Sequence, residues 1–177
     1  ILFRKIIVIL YSLSKKLRMK KIVSFLTILL LLIECPVFSQ PCENNVFKPT
    51  PRYFKTAYYP YIKRNVYENN KTRFIIAKEG DTYAKIAMEI NVSEYELREF
   101  NDVTDFKLEP CEGEAVYLHY KQKKSKVQFH IVKDGESVRG ISQRYAIKLK
   151  TLYKNNIKKG IMLHLLRPGD RICITCK

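Results

Sequence analysis

One pattern occurs twice in the sequence, 55 positions apart, and this internal repeat limits the fold more than any other feature. Gly80 lies in the first copy and Gly135 in the second. At the same offset, core candidates and a hydroxyl residue also recur, in the pairs Phe74/Phe129, Thr82/Ser137, Ile86/Ile141, Val92/Ile147, Leu97/Leu152 and Asn101/Asn156. A fixed period of this kind is typical of a small module that is present twice.

Both copies carry the same order of local signals. In the second copy, residues 129–132 predict a short strand and residues 133–137 a tight turn. The apolar residues that follow recur at three- and four-residue spacing, which indicates an amphipathic helix. We expect Ser137 to cap this helix, because its hydroxyl can accept a backbone N–H of the first turn. In the first copy Thr82 has the same place.

Each module is therefore predicted to contain a strand, two helices and a second strand. In the first module these are expected at 73–77, 82–89, 93–101 and 115–118. In the second they are expected at 128–132, 137–145, 148–155 and 171–174. Ser93, with Glu96 three residues later, also predicts a capping box. The simplest packing is an α+β fold, in which both helices cover one face of a two-stranded antiparallel sheet.

The first 39 residues differ from the rest. Met19 is followed by two lysines, residues 22–33 are mostly apolar, and small and turn-forming residues come next. This order is typical of a secretory signal peptide, and the apolar run is too short for a comfortable membrane span. We expect a true start at Met19 and cleavage after Ser39. A longer uncleaved anchor and a lipoprotein modified at Cys35 are the alternatives.

The charge of the chain favours anionic partners. Its formal net charge is +16, and without the seven Lys/Arg and one Glu of residues 1–39 the remainder carries +10. Such a surface attracts polyanions. Export makes nucleic acid an unsuitable partner and leaves anionic envelope polymers or lipid head groups, with contact to the membrane expected only through the signal segment. A solvated basic surface without a specific partner is the alternative.

Four cysteines lie beyond the predicted cleavage site: Cys42, Cys111, Cys173 and Cys176. In an exported chain they can form disulfides, in any of three pairings. The last two form one C-x-x-C without a second pair at metal spacing. We expect a local disulfide or two idle thiols there, and no metal site or cofactor.

The predicted domain order is a signal segment at 1–39, a linker at 40–72, a module at 73–120, a basic linker at 121–127 and a module at 128–175. The first linker is rich in Pro and Tyr, which favours a partly ordered segment over a separate binding segment. The second linker is interpreted as a solvated hinge.

The strand, turn and helix patterns of residues 74–101 and 129–174 resemble the LysM family. In the first module the likeness lies in the string F-I-I-x-K-E-G-D-T, and in the second in F-H-I-V-K-D-G-E-S and R-P-G-D-R-I-C-I. The resemblance implies β-α-α-β modules that bind N-acetylglucosamine-containing glycans, chiefly peptidoglycan or chitin. From Tyr61 onward, the chain is also similar to the tandem LysM tail of some exported cell-wall glucosaminidases.

The resemblance further implies a shallow sugar groove between the first strand–helix turn and the loop after the second helix. In the first module the implied glycan-binding residues are Gly80, Asp81, Thr82 and Tyr83, faced by Asn101, Asp102 and Val103. In the second they are Gly135, Glu136, Ser137 and Val138, faced by Asn156 and Ile157. Turn backbone groups can bond acetamido and hydroxyl groups, while Tyr83 or Val138 can offer an apolar face. The alternative is that these residues only form turns and helix caps.

Two departures from the family pattern concern the loops beside the groove. The second module keeps the family's Pro-Gly before the last strand, at Pro168 and Gly169, whereas the first has residues 110–113 (PCEG) in its place. The loop 157–166 is apolar and basic, and a contact with another protein is an alternative role for it.

No catalytic constellation stands out. A glycosidase needs one carboxylic acid of raised pKa and usually a second carboxylate in a cleft. Outside the modules the only such acids beyond residue 40 are Glu43 and Glu68, in a segment too short to build a cleft. The leading hypothesis is an exported, non-catalytic peptidoglycan binder of the periplasm, envelope or medium. The alternatives are the targeting part of a cell-wall hydrolase whose catalytic domain is absent from this chain, or a protein-interaction module.

Overall fold

The described part of the chain, residues 42–43, 45–60 and 62–176 of a computed structural model, contains six strands, four α-helices and two short 3-10 helices, Pro51–Tyr53 and Leu163–Leu165. The strands are β1 (Lys55–Ala57), β2 (Val66–Asn69), β3 (Thr72–Ile76), β4 (Ala115–Tyr117), β5 (Phe129–Ile131) and β6 (Arg171–Cys173). The helices are α1 (Tyr83–Ile90), α2 (Glu94–Phe100), α3 (Val138–Arg144) and α4 (Leu149–Ile157). The predicted signal segment, with its cleavage site and Cys35, lies outside the described residues.

All strands and helices predicted for the two modules are present, with ends within two residues of the expected positions. The predicted caps explain where the helices begin. Thr82 accepts the Lys85 N–H at 3.1 Å and Ser137 accepts the Gly140 N–H at 2.9 Å. Ser93 forms the predicted capping box at the start of α2. Polar residues close in the sequence therefore fix the starts of α1, α2 and α3, as a hydroxyl cap is expected to do.

Each module has the predicted α+β arrangement. β3 pairs antiparallel with β4, and β5 pairs antiparallel with β6. Two helices pack on each pair, and each module has its own apolar core. The first core includes Ile75, Ile86, Leu97 and Val116, and the second includes Ile141, Leu152, Leu163 and Ile172.

The first sheet contains four strands, in the order β1-β2-β3-β4, because the segment before the first module adds two. Sequence patterns did not predict these two strands, which lie within the proposed linker 40–72. Asn70 and Lys71 join β2 to β3, with φ of 47° and 61°. Two residues with positive φ are typical of a type I′ hairpin turn. Since Asn-Lys is a weaker hairpin signal than Asn-Gly, the sequence does not clearly indicate this turn.

The two modules pack against each other through a shared cluster of buried residues. Phe74, Ala115 and Tyr117 of the first sheet contact Ala146 of the second module. The basic linker begins inside this interface, because the Lys121 side chain is fully buried and pairs with Asp102 at 2.6 Å. The interpretation of the linker as a solvated hinge is therefore wrong at its first residue. The placing of the domain boundaries stays a prediction.

Two disulfides join Cys42 to Cys111 and Cys173 to Cys176, which selects one of the three pairings that the sequence allowed. The first one fixes residues 42–43 and 45–47 between the modules. There the backbone of Asn45 passes so close to Gly140 that a Cβ atom added to this glycine would lie 2.5 Å from the Asn45 carbonyl oxygen. Within the described range, no helix is long and apolar enough to cross a membrane.

Candidate functional site

The groove predicted in the first module is largely closed. The Tyr83 side chain is 1% exposed and lies in the core, so it does not offer its face to a ligand as predicted. Burial raises the pKa of its hydroxyl. Val103 is also buried, whereas Gly80 is exposed and Asp81 and Thr82 are half-buried. Little apolar surface of this groove is left for a sugar.

Acidic side chains of the first module occupy the polar groups of its turn. Glu109 accepts the Tyr83 N–H at 2.7 Å and pairs with Arg98 at 2.8 Å. Asp81 accepts the Lys78 N–H at 2.8 Å and pairs with Arg64 at 2.6 Å. Two backbone donors of this turn, the N–H groups of Lys78 and Tyr83, are therefore already bonded within the protein.

The second module covers the other side of this groove. Arg139 of α3 donates to the Asn101 carbonyl oxygen at 3.3 Å and pairs with Glu114 at 2.7 Å and Glu43 at 2.9 Å. Both Arg139 and Glu114 are buried. Asp102, a predicted glycan contact, instead accepts the Leu149 N–H at 3.2 Å at the start of α4. These groups hold the modules together.

The two predicted asparagines have the same structural role in the two modules. Asn101 donates to the carbonyl oxygens of Leu97 and Tyr117 and accepts the Tyr117 N–H. Asn156 repeats these three bonds with Leu152 and Cys173. Both side chains are fully buried, and each joins the second helix of its module to the closing strand. Neither side chain is accessible to a ligand.

The groove predicted in the second module is more open. Gly135 is exposed, Val138 is half-buried, and the Ile157 side chain is 66% exposed. The position 55 residues after Glu109 is His164, which is exposed and has no carboxylate to offer to the helix start. The loop beside Ile157 also exposes Met162 and Leu165. Apolar side chains of the loop after the second helix are therefore exposed in this module.

Glu136 and Ser137 stabilise the turn of the second module. Glu136 accepts the Lys133 N–H at 2.9 Å and contacts His130 at 2.6 Å and Arg144 at 2.8 Å. Although partial burial opposes the shift, these three contacts hold the pKa of Glu136 below its ordinary value. Ser137 donates to the Asn45 carbonyl oxygen at 3.2 Å while it caps α3. The turn is thus held in one shape, with Gly135 at its exposed end.

A second concave surface lies between the modules, and Asp102 and Val103 of the predicted first groove are among its lining residues. Tyr95 and Phe106 of the first module line it and are 65% and 57% exposed. Leu97 and Phe100 form the apolar face of α2, and Tyr95 points away from the core. The only indication of a surface role in the sequence is the spacing, because Tyr95 is not three or four residues away from Leu97 or Phe100. Among the described residues, no group of three or more His, Cys, Asp or Glu side chains could hold a metal ion.

Comparison with known proteins identifies the modules. The family model of the LysM domain matches residues 75–110 and 130–175, one segment in each module. The chain thus carries two LysM domains in tandem. LysM domains are binding rather than catalytic domains, and they imply binding to peptidoglycan or another N-acetylglucosamine polymer. They are typical of secreted or cell-wall-associated proteins.

Two solved structures with partial similarity are spore cortex-lytic enzymes named SleL. The Bacillus cereus enzyme is 21% identical over 59% of this chain and 23% of its own, with a TM-score of 0.25. The Bacillus megaterium QM B1551 enzyme is 16% identical over 59% of this chain and 22% of its own, with a TM-score of 0.23. The chain thus spans less than a quarter of the length of these two enzymes. No curated protein matches the chain.

Proposed function

We propose that this protein binds an N-acetylglucosamine-containing glycan of the cell wall, peptidoglycan in the first place, and performs no chemistry on it. The second module supplies the groove. The observation that carries this proposal is the difference between equivalent residues of the two modules: Tyr83 is 1% exposed, whereas Val138 is half-buried, and Ile157 in the second module is exposed.

The geometry of the second module suits a sugar ring with an acetamido group. Backbone groups of the exposed turn around Gly135 can bond hydroxyl and acetamido groups. The side chains of Val138 and Ile157 provide apolar surface for the acetamido methyl group or for a face of the ring. Because the groove is shallow and buries little ligand area, we expect weak binding by this groove alone.

The first module acts as a support in this proposal. Its groove is closed by Glu109 and by Arg139, and its buried contacts fix the orientation of the second module. We further propose that the protein is exported and works in the periplasm, in the envelope or outside the cell, where it locates itself or a partner hydrolase on the wall. To locate itself or a partner on the wall, the protein needs only to bind the wall polymer and does not need catalytic activity.

The test is retention of the full chain on purified, protein-free peptidoglycan at low and high salt, with chitin alongside. We expect retention at high salt and competition by N-acetylglucosamine oligomers. Ile157→Ala should weaken retention, whereas Ile131→Ala is a matched control, since Ile131 is 53% exposed on the strand of the same module.

Retention at low salt only would overturn the proposal, because it would show that the net positive charge holds the protein on the wall polymer. Equal effects of Ile157→Ala and Ile131→Ala would overturn the assignment of the groove. If the full chain binds a protein partner in excess glycan but no glycan itself, the exposed loop after α4 is a protein contact instead.

A further inference from the structure

A cleft with a volume of about 560 Å³ lies between the two modules. One wall consists of Tyr95, Val103 and Phe106 from the first module. The other consists of Leu149 and Tyr153 from α4 of the second. The cleft is separate from the groove at Gly135 and Ile157, and it exists only because the two modules are packed together.

The wall in the first module is an aromatic platform. The Tyr95 and Phe106 rings are nearly parallel, with an angle of 22° between their planes and 6.5 Å between their centroids. Both side chains are more than half exposed. Single exposed apolar residues are ordinary on protein surfaces. Two adjacent, aligned rings that open into a concave site are better suited to ligand binding.

Arg98 fixes the loop that presents Phe106. This side chain is 2% exposed and donates to the Leu108 carbonyl oxygen at 2.7 Å and the Phe106 carbonyl oxygen at 3.3 Å. It also pairs with Glu109 at 2.8 Å. Its guanidinium carbon lies 5.0 Å from the centroid of the Phe106 ring, which supports the ring from the protein side. The platform is therefore formed before any ligand arrives.

Asp102 fixes the position of the wall in the second module relative to the wall in the first. Helix α4 has no side-chain cap of its own at Lys148. Asp102 of the first module accepts the Leu149 N–H at 3.2 Å and so replaces that cap from across the interface. Its carboxylate also pairs with the buried Lys121 at 2.6 Å. Because one carboxylate joins both modules at the floor of the cleft, the width of the cleft is held constant.

The lining suits a small ligand, and its two acids are already bonded within the protein. Of the two acids at the cleft, Asp102 is paired with Lys121, and Glu99 accepts the Tyr120 hydroxyl at 2.6 Å. The volume is within the range of small-molecule sites, about 300–1,000 Å³. A stable protein partner would need roughly 800 Å² of surface on each side. A sugar ring fits this chemistry, because its C–H faces are apolar and its hydroxyl edges can reach Thr104 and Lys150 at the rim.

We propose that this cleft is a second glycan site, which binds a neutral N-acetylglucosamine oligosaccharide with one sugar ring against Tyr95 and Phe106. The class of ligand rests on the proposed function, but the site does not overlap the groove of the second module. The two sites together would let one chain hold a glycan more tightly than either alone.

The test is an NMR titration of the isotope-labelled full chain with N-acetylglucosamine tetrasaccharide. We expect shifts of the Thr104 and Tyr153 amides from the cleft, and separate shifts of the Gly135 amide from the groove. Phe106→Ala should weaken the cleft response by about tenfold, equivalent to about 1.4 kcal/mol. Tyr95→Ala should weaken it in the same direction, and neither change should alter the Gly135 response.

Tyr58→Ala is the matched control, since Tyr58 is 82% exposed and is not part of the cleft lining. Unchanged cleft shifts in both Phe106→Ala and Tyr95→Ala would overturn the second site while the proposed function stands. Shifts at the cleft without shifts at Gly135 would support the second site and overturn the groove. No shifts at either place would overturn both.

Discussion

Replacement of Arg139 by methionine tests whether the buried ion pair between the modules holds the protein together. Arg139 pairs with Glu114 at 2.7 Å, and the Glu114 side chain is 1% exposed. Breaking a buried pair by removing one partner costs about 3–5 kcal/mol, because the other charge stays buried without compensation. Here Glu114 keeps bonds from Gln143 at 2.8 Å and from the Cys111 N–H at 3.0 Å. We therefore expect Arg139→Met to lower the free energy of unfolding by about 3 kcal/mol, the lower end of that range.

The measurement is urea unfolding followed by far-UV circular dichroism, since the chain has no tryptophan. Arg167→Met is the control, because Arg167 is exposed and a surface replacement should change the free energy of unfolding by less than about 0.5 kcal/mol. Adding Glu114→Gln to Arg139→Met should restore part of the loss, because it removes the uncompensated charge. The amide oxygen keeps one of the two remaining bonds, since Gln143 and the Cys111 N–H donate to different carboxylate oxygens.

Two results would refute this reasoning. One is a loss in Arg139→Met no larger than in Arg167→Met, which would mean that the pair contributes no more than a surface charge. The other is a further loss when Glu114→Gln is added, which would mean that the uncompensated Glu114 charge costs less than the one hydrogen bond that the amide gives up.

Three further predictions concern other parts of the protein. Gly140→Ala should lower the unfolding midpoint, because its Cβ would lie 2.5 Å from the Asn45 carbonyl oxygen; an unchanged midpoint would place that segment elsewhere. Cys42→Ser opens a disulfide with a sequence separation of 69 and should lower the free energy of urea unfolding by up to about 4 kcal/mol. A loss no larger than that caused by replacing an exposed residue with serine would contradict the pairing. Ionised Glu136 stabilises the fold above its ordinary pKa of 4.5, and this contribution is lost as the pH falls through the lower folded value. Glu136→Gln should therefore flatten the loss of stability on acidification, and an unchanged slope would show that its contacts contribute nothing.

The local structure could be predicted because its causes are close together in the sequence. Thr82, Ser93 and Ser137 cap helices through bonds to residues three positions away. The strands and helices follow from apolar spacing within a few residues. The repeat at 55 positions then predicted two copies of one fold, since segments with the same apolar spacing bury the same faces of their strands and helices. None of this needed knowledge of distant contacts.

The candidate site could be predicted only in part. Asn101 and Asn156 recur at equivalent positions, and the repeat cannot distinguish a ligand contact from a bond between helix and strand. Tyr83 and Val138 are likewise equivalent in sequence, yet one is core and the other borders an open groove. Their exposure depends on Glu109 and on the neighbouring module, which lie far away along the chain.

The sequence by itself determined the two modules, their helix caps and the family, because these depend on patterns that neighbouring residues carry. Only the tertiary structure decided the two added strands, the pairing of Cys42 with Cys111, and the contact of Arg139 with Glu114. It also decided that one groove is closed and that a cleft opens between the modules. The physical reason is that burial and ion pairing join residues of high sequence separation, and no local pattern states which distant surface a side chain will meet.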